Sequence, residues 1–283
     1  MCRLFGLAAP APVTATFWLL DAPDSLRSQS HREPDGTGLG YFDAGGRPRV
    51  DKRALAAYRD RSFAREARTV SSATFVAHIR FASTGGLQPQ NTHPFEQHGR
   101  LFAHNGVVER LSELERRLGD AIELVHGDTD SERLFALITH ESERRGGDLR
   151  AGIAAAAGWV AANLPVLSLN FVLTCADQLW ALRYPDTHEL HVLQRPGAGA
   201  LEQTSSHGTR VHCAHAAQMP TVVLASEVMD DDPHWRSLAP GELVHVRAGG
   251  DGMRVDSSII LPDPPAHPLS LQELEGRARQ SQA

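Results

Sequence analysis

Residues 1–8, Met-Cys-Arg-Leu-Phe-Gly-Leu-Ala, place a cysteine directly after the initiator methionine, at the start of an apolar run. The run predicts a buried strand over residues 3–8 that ends at Pro10 and Pro12. Methionine aminopeptidase acts before small residues such as cysteine, so a mature chain can begin at Cys2. Such a residue joins a thiol nucleophile to an α-amine that can accept its proton near neutral pH. The alternative is a small buried side chain in an N-terminal strand.

The pattern that follows this strand changes from strands to helices and back to strands. Three helices are predicted: one at Leu111, Leu114 and Leu118, a second after a capping box at Thr129 and Glu132, and a third over residues 149–163, which Pro165 ends. This order predicts an α+β fold whose helices pack outside two sheets. The predicted strands cover residues 38–43, 48–52, 73–80, 100–104, 168–174, 178–184, 189–194, 221–225 and 242–247.

The chain shows no linker that would divide it. We expect a single domain over residues 1–260 and a C-terminal tail with one short helix over residues 261–283. Residues 196–219, rich in glycine, serine and histidine, predict a long loop.

Composition excludes several classes of protein. A net charge of −6 points away from nucleic acid as a partner. The three cysteines are too unevenly spaced for a disulfide framework or a paired metal-ligand motif, which favours a reducing, cytoplasmic location. Residues 4–20 are apolar, but Pro10 and Pro12 interrupt them, so they predict neither a signal peptide nor a membrane span.

Asn105 and Gly106 follow the predicted strand over residues 100–104 and carry the donors that amide cleavage requires. A thiolate that attacks an amide creates an oxyanion, which an Asn side-chain amide and a Gly backbone N–H can stabilise. Glycine also lets the backbone approach a substrate closely. The alternative is an ordinary Asn-Gly turn.

Two charged residues are candidates to hold the ends of an amino-acid substrate. Arg80 ends a β-rich run and can bind an α-carboxylate through two hydrogen bonds. The hydroxyl groups of Ser83 and Thr84 can add further donors. Asp130, in the first turn of the capped helix, can bind an α-ammonium group. The alternatives are a surface arginine and an aspartate that complements the helix dipole.

Five short motifs occur in a specific order. They read MCRLFG at residues 1–6, HREPDGTG at 31–38, HIRFASTG at 78–85, HNG at 104–106 and GDTDSE at 127–132, and residues 225–235 add a sixth stretch. Together they resemble the class II glutamine amidotransferases of the N-terminal-nucleophile hydrolase superfamily. The resemblance implies a four-layer αββα sandwich of two stacked, mostly antiparallel sheets. It implies Cys2 as the nucleophile, with Asn105 and Gly106 as the oxyanion hole. It also implies Arg80 and Asp130 as ligands of the substrate's α-carboxylate and α-ammonium groups.

The resemblance is to stand-alone members, similar to the ergothioneine-pathway γ-glutamyl amidohydrolase. It implies hydrolysis of the γ-amide of glutamine or a γ-glutamyl metabolite through a Cys2 thioester. Phe81 stands where many relatives carry Trp and Thr84 where some carry His, so the substrate-binding rim that they form with Ser83 differs.

Two other functions stay open at this point. The chain could supply ammonia to a separate acceptor subunit, because the residues after Asp130 are nearly all needed to complete the sandwich and leave no room for an acceptor domain. It could also be a non-catalytic module that binds an amino acid or a partner. We expect a small-molecule substrate, no nucleic-acid or membrane partner, and leave homo-oligomerisation open.

We expect neither a metal nor a cofactor. The cluster of His207, His212, Cys213 and His215 has a spacing that fits no zinc pattern. The histidines near the predicted site, which we expect to order loops by hydrogen bonding, are His78, His93 and His104.

Overall fold

Two sheets, each with seven strands among the described residues, form the centre of the fold. The computed structural model describes residues 2–81, 88–197, 202–204, 210–212, 219–249, 252–272 and 274. In spatial order, the first sheet contains β13 (Arg236–Ser237), β9 (His191–Arg195), β12 (Thr221–Ala225), β1 (Arg3–Val13), β4 (Ser72–Arg80), β2 (Gly36–Phe42) and β3 (Pro48–Arg53). The second contains β15 (Gly252–Ile259), β14 (Glu242–Gly249), β8 (Gln178–Leu182), β7 (Pro165–Thr174), β6 (Arg100–Val108) and β5 (Phe95–Gln97), with β16 (His267–Pro268) beside β7.

Helices cover the outer face of each sheet. On the first sheet, α1 (Leu26–Gln29) and α2 (Arg61–Thr69) share a core with β1, β2 and β4. On the second sheet, α3 (Leu111–Leu118), α4 (Asp130–Glu143) and α5 (Leu149–Asn163) share a core with β6, β7 and β8. A third core, which includes Leu4, Val76, Leu101 and Val172, lies between the two sheets. These layers confirm the predicted four-layer αββα sandwich.

Strand pairing is antiparallel throughout both sheets except for β16, which runs parallel to β7. The predicted capping box at α4 is present, since the Thr129 hydroxyl accepts the Glu132 N–H at 3.2 Å. The predicted helix over residues 149–163 is also confirmed. None of the described helices has both the length and the apolar character needed to span a bilayer.

The first strand continues beyond the predicted end at its prolines. β1 reaches Val13, which pairs with Ser72 of β4 after a register shift that follows Ala8. On its other side, β1 pairs with β12 through residues 5–8. Pro10 and Pro12 therefore lie where no regular ladder requires their missing N–H groups.

The prediction of one long loop over residues 196–219 was wrong in part. β10 (Glu202–Thr204) and β11 (Arg210–His212) form a two-stranded ribbon there. The sequence pattern also gave no prediction for α2 or β15, which lie in polar stretches. A domain boundary at residue 260 stays a prediction, although Ala266 and Leu269 donate hydrogen bonds to Ala161 and Val166.

Candidate active site

Strand geometry places Cys2 and Arg80 on the same face of the first sheet. Arg3 of β1 pairs with Ile79 of β4, so Cys2 and Arg80 are the next residues along these two neighbouring strands. Side chains alternate along a strand, and Leu4 belongs to the core between the sheets. Cys2, two residues earlier, therefore faces the space between the sheets.

The Cys2 thiol is held by the backbone of Phe81. The Phe81 N–H donates to Cys2 Sγ, and the thiol can donate to the Phe81 carbonyl oxygen, each at 3.3 Å. Burial raises the pKa of the Cys2 thiol, an effect that the Phe81 hydrogen bond and Arg80 oppose and Glu33 reinforces. The side chain is therefore a neutral thiol at neutral pH and needs a base to become a nucleophile.

Arg80 is a buried residue, so the alternative of a surface arginine is wrong. Only 3% of it is exposed, and its carbonyl oxygen accepts the Asp35 N–H at 3.2 Å. Burial lowers the pKa of Arg80, while Cys2 and Asp35 act in the opposite direction. A guanidinium group kept in this position is suited to bind a carboxylate in two-pronged geometry.

Two acidic residues for which the sequence predicted no role, Glu33 and Glu227, lie close to Cys2 and Arg80. Arg3 contacts the carboxylates of Glu227 at 3.2 Å and Glu33 at 3.8 Å. Ser226 fixes the segment that carries Glu227, because its hydroxyl and N–H bond the backbone of Leu4. The only sequence signal for these residues was their position inside the motifs at 31–38 and 225–235.

Asn105 and Gly106 lie inside β6, and their prediction as residues that follow a strand was wrong. They pair with Asn170 and Leu169 of β7, and the register shifts only after Val107. The strand therefore extends through the motif to Val108, which excludes the Asn-Gly turn. Asn105 continues the face of β6 that lines the space between the sheets.

A glycine is needed at position 106 because β6 and β7 approach each other closely there. A Cβ there would lie 1.9 Å from the Ser168 carbonyl oxygen and 2.6 Å from His104 Nε2. Leu169, which pairs with Gly106, donates its N–H to Tyr184 on the opposite side of β7. Gly106 is therefore in a non-hydrogen-bonded pair, and its own N–H points away from β7. On that side β5 pairs with β6 only as far as Phe102, so the Gly106 N–H faces beyond the end of β5.

Asp130 connects α4 to the end of β6. Its carboxylate accepts the Val108 N–H at 2.8 Å, and only 3% of the residue is exposed. One residue further on, the Ser131 hydroxyl bonds His104 Nδ1 at 3.0 Å. Within the described ranges Asp130 therefore has an anchoring role, and its contact with a substrate ammonium group stays a prediction.

Of the three histidines expected to form hydrogen bonds, His104 alone does so through its ring within the described residues. It bonds Ser131 and the Ser168 carbonyl oxygen, at 3.0 and 3.1 Å. The rings of His78 and His93 are buried with centroids 4.1 Å apart, and none of their nitrogen atoms has a hydrogen-bond partner among the described residues. Burial, followed by the nearby His104 and Arg80, lowers the pKa of His78 to about 3.

His78 should make the protein less stable as the pH falls. The pKa of His78 is lowered in the folded state. Between about pH 6.5 and the folded pKa, the unfolded chain therefore binds a proton at His78 that the folded chain does not bind. The free energy of unfolding decreases as the pH falls through this range. We expect His78 to account for about 1 kcal/mol of the stability lost between about pH 7 and pH 5.5. In urea unfolding at both pH values, the free energy of unfolding of His78→Gln should fall by about 1 kcal/mol less than that of wild type. The exposed His126→Gln should behave as wild type, and an unchanged pH dependence in His78→Gln would contradict the assignment.

The remaining predicted rim residues are only partly described. Phe81 is 48% exposed beside Cys2, so its ring is available to a substrate. Ser83 and Thr84 lie outside the described residues, as do the side chains of the histidine cluster near His212. No group of three or more metal-ligating side chains occurs in the part of the chain that the structure describes.

This sandwich is the fold of the N-terminal-nucleophile amidotransferases. Glutamine phosphoribosylpyrophosphate amidotransferase from B. subtilis is similar with a TM-score of 0.64 and 18% identity, over 93% of this chain and 50% of that one. A glutamine aminotransferase class-II domain protein from Silicibacter pomeroyi has a TM-score of 0.58 and 21% identity, over 92% of this chain and all of that one.

Sequence comparison gives the family. The class-II glutamine amidotransferases match residues 1–267, so this chain belongs to that family and is an enzyme. It is 31% identical over 260 residues to γ-glutamyl-hercynylcysteine sulfoxide hydrolase from Mycobacterium tuberculosis (strain CDC 1551), across 88% of this chain and 94% of that protein. The protein of the same name from Mycolicibacterium smegmatis is 28% identical over 87% of this chain and 96% of its own length.

Proposed function

We propose that this protein hydrolyses the γ-amide of a γ-glutamyl compound and releases glutamate and an amine. The observation that carries the proposal is the position of the Cys2 thiol, held 3.3 Å from the Phe81 backbone and directly beside the buried Arg80. The relatives from Mycobacterium tuberculosis and Mycolicibacterium smegmatis, which match along nearly their full length, are named as hydrolases of a γ-glutamyl compound. This favours an amine over ammonia as the leaving group.

In this reaction Cys2 supplies both the nucleophile and the base. Removal of Met1 exposes the α-amine of Cys2, and an unperturbed α-amine, with a pKa of about 8, can take the thiol proton near neutral pH. The sulfur bonds to the amide carbon, the C–N bond breaks, and the proton leaves with the amine. Water then hydrolyses the thioester, which releases glutamate and restores the thiol.

Residues from both sheets are proposed to stabilise this reaction. The Asn105 amide and the Gly106 N–H would donate to the oxyanion, which their orientation in β6 supports. Arg80 would bind the α-carboxylate and Asp130 the α-ammonium group of the glutamyl unit. The proposed contacts at the rim of the pocket are Phe81, Ser83 and Thr84.

The experiment is an assay of glutamate release by the purified chain, after intact-mass measurement has identified the N-terminal residue. The substrates are glutamine, γ-glutamylcysteine, γ-glutamyl-hercynylcysteine sulfoxide and an α-glutamyl amide. We expect the γ-glutamyl amines to be cleaved at least about tenfold more efficiently than glutamine, since binding of the amine portion lowers the barrier. The α-glutamyl amide, whose scissile bond lies elsewhere relative to the charged groups, should not react.

Two results would contradict the proposal. A chain that begins at Cys2 and releases glutamate from none of these substrates would favour a non-catalytic binding module. Release from glutamine alone would favour ammonia delivery to a separate acceptor subunit. We also place the enzyme in the cytoplasm, which agrees with the free thiols of Cys2 and Cys175.

A further inference from the structure

A cavity lined by arginines lies at the opposite end of β6 from the proposed oxyanion hole. Its volume is about 470 Å³, and it lies between the end of the second sheet and the N-terminus of α5. Arg100, which lines it, begins β6 five residues before Asn105, roughly 16 Å away along the strand at about 3.3 Å per residue. The cavity is therefore separate from the space that contains Cys2.

Positive charge exceeds negative charge in the lining of this cavity. Three arginines line it, Arg100, Arg150 and Arg247, together with the carboxylates of Asp148 and Asp256. Both carboxylates are engaged within the protein. Asp148 is the N-cap of α5, and its carboxylate accepts a hydrogen bond from the Ala151 N–H at 2.9 Å. The Asp256 carboxylate accepts a hydrogen bond from Arg247 Nη2 at 3.0 Å.

Two of these arginines have no carboxylate partner in the described ranges. Arg150 donates to the hydroxyl of Ser258 at 2.5 Å. The side chain of Arg100 has no hydrogen-bond or ion-pair partner among the described residues, and its Nη1 atom is buried. A guanidinium group in this state favours binding of an anion, because the charge and the donors are otherwise uncompensated.

An aromatic donor beside the arginines is also without a partner. Trp180 lines the cavity, is 4% exposed, and its Nε1–H has no acceptor among the residues that the structure describes. Its ring stacks on His245, with centroids 3.4 Å apart. Burial, reinforced by Arg247, lowers the pKa of His245 to about 4, so this imidazole adds no charge at neutral pH.

We propose that this cavity is a second binding site, for a small organic anion whose head group is a carboxylate or a phosphate. Arg100 and Arg150 would bind the head group, and the Trp180 indole N–H would donate to it. The N-terminus of α5, which the cavity adjoins, adds a favourable dipole. The volume falls within the range of roughly 300–1,000 Å³ typical of small-molecule sites, which leaves room for an organic body beyond the head group.

The test is titration of the purified full-length protein with phenyl phosphate, benzoate and inorganic phosphate at constant ionic strength. Calorimetry and tryptophan fluorescence report binding. We expect saturable 1:1 binding of phenyl phosphate or benzoate, and the stronger of the two identifies the head group. Arg100→Gln should raise the Kd at least about tenfold, because a charged hydrogen-bonding partner is lost.

Matched variants make the outcome decisive. Arg254→Gln removes a nearby arginine that does not line the cavity and should change the Kd less than about twofold. Trp180→Phe retains an aromatic ring, removes the N–H, and should weaken binding and remove most of the fluorescence change even if Arg100→Gln does not fold. Hydrolysis by folded Arg100→Gln should equal wild type. The proposal is overturned by an absence of saturable binding of all three anions, or by a Kd that neither Arg100→Gln nor Trp180→Phe changes.

Discussion

Replacing Cys2 by alanine should lower glutamate release from a γ-glutamyl amide at least about 10⁴-fold. The thioester requires a sulfur atom at this position, and no other described thiol can take its place. Cys175 begins the turn at the far end of β7 and lines the arginine-lined cavity, on the helix-covered side of the second sheet. We therefore expect kcat to fall while the Cys2→Ala protein remains folded.

The matched control for this prediction is Cys175→Ala. It removes a half-buried thiol of similar size and should retain at least about half of the wild-type activity. Incubation of wild type with substrate, followed by rapid acid quenching and intact-mass measurement, should detect a glutamyl adduct on Cys2 that Cys2→Ala lacks. Hydrolysis by Cys2→Ala at a rate near wild type, or an adduct on Cys175, would contradict the assignment of the nucleophile.

The order of strands and helices could be predicted because buried elements carry a clear apolar period. β4 and α5 were predicted to within a residue, since each is bounded by residues that end its element. α2 was not predicted because its apolar side consists of little more than Phe63 and Ala67 within a charged segment. β15 was not predicted because none of its residues is buried and its position depends on pairing with β14.

The candidate site was predicted as a set of residues but not as a geometry. Asn105 and Gly106 were placed after a strand because Asn-Gly is typical of turns, whereas pairing with β7 keeps both residues in β6. The motif at residues 31–38 gave no role for Gly38. A Cβ there would lie 1.8 Å from the carbonyl oxygen of His93, so this glycine lets the segment before β5 pack against β2. Contacts between residues so distant in sequence depend on the tertiary fold.

The same reason explains why the contact of Glu33 with Arg3 and the contact of His93 with His78 were not predicted. Glu33, in the connection between α1 and β2, forms an ion pair with Arg3 of β1. His93, in the segment before β5, contacts the ring of His78 of β4. Neither pair has a periodic spacing that a sequence pattern could reveal. Their effect on the pKa of Cys2 and on the stability at low pH follows from burial, which only the packed sheets create.

Replacing Asn105 by alanine should lower kcat by about 10²–10³-fold and change KM less than about threefold. The physical reason is that an oxyanion donor acts mainly on charge that develops in the transition state, so substrate binding in the ground state is little affected. Asn105 is 5% exposed and faces the space between the sheets, whereas the β6–β7 ladder uses backbone groups. The measurement is steady-state kinetics of glutamate release with the best γ-glutamyl substrate.

Asn163→Ala provides the matched control, since this asparagine lies at the exposed end of α5 and its side chain donates to the Trp159 carbonyl oxygen of its own helix. It should leave both kinetic constants within about twofold of wild type. Thermal unfolding of Asn105→Ala should show a folded protein, so that a loss of kcat reports on the reaction. A raised KM with an unchanged kcat would make Asn105 a substrate-binding residue and remove it from the oxyanion hole. Because the Gly106 N–H alone would then have to stabilise the oxyanion, that result would also require a different second donor.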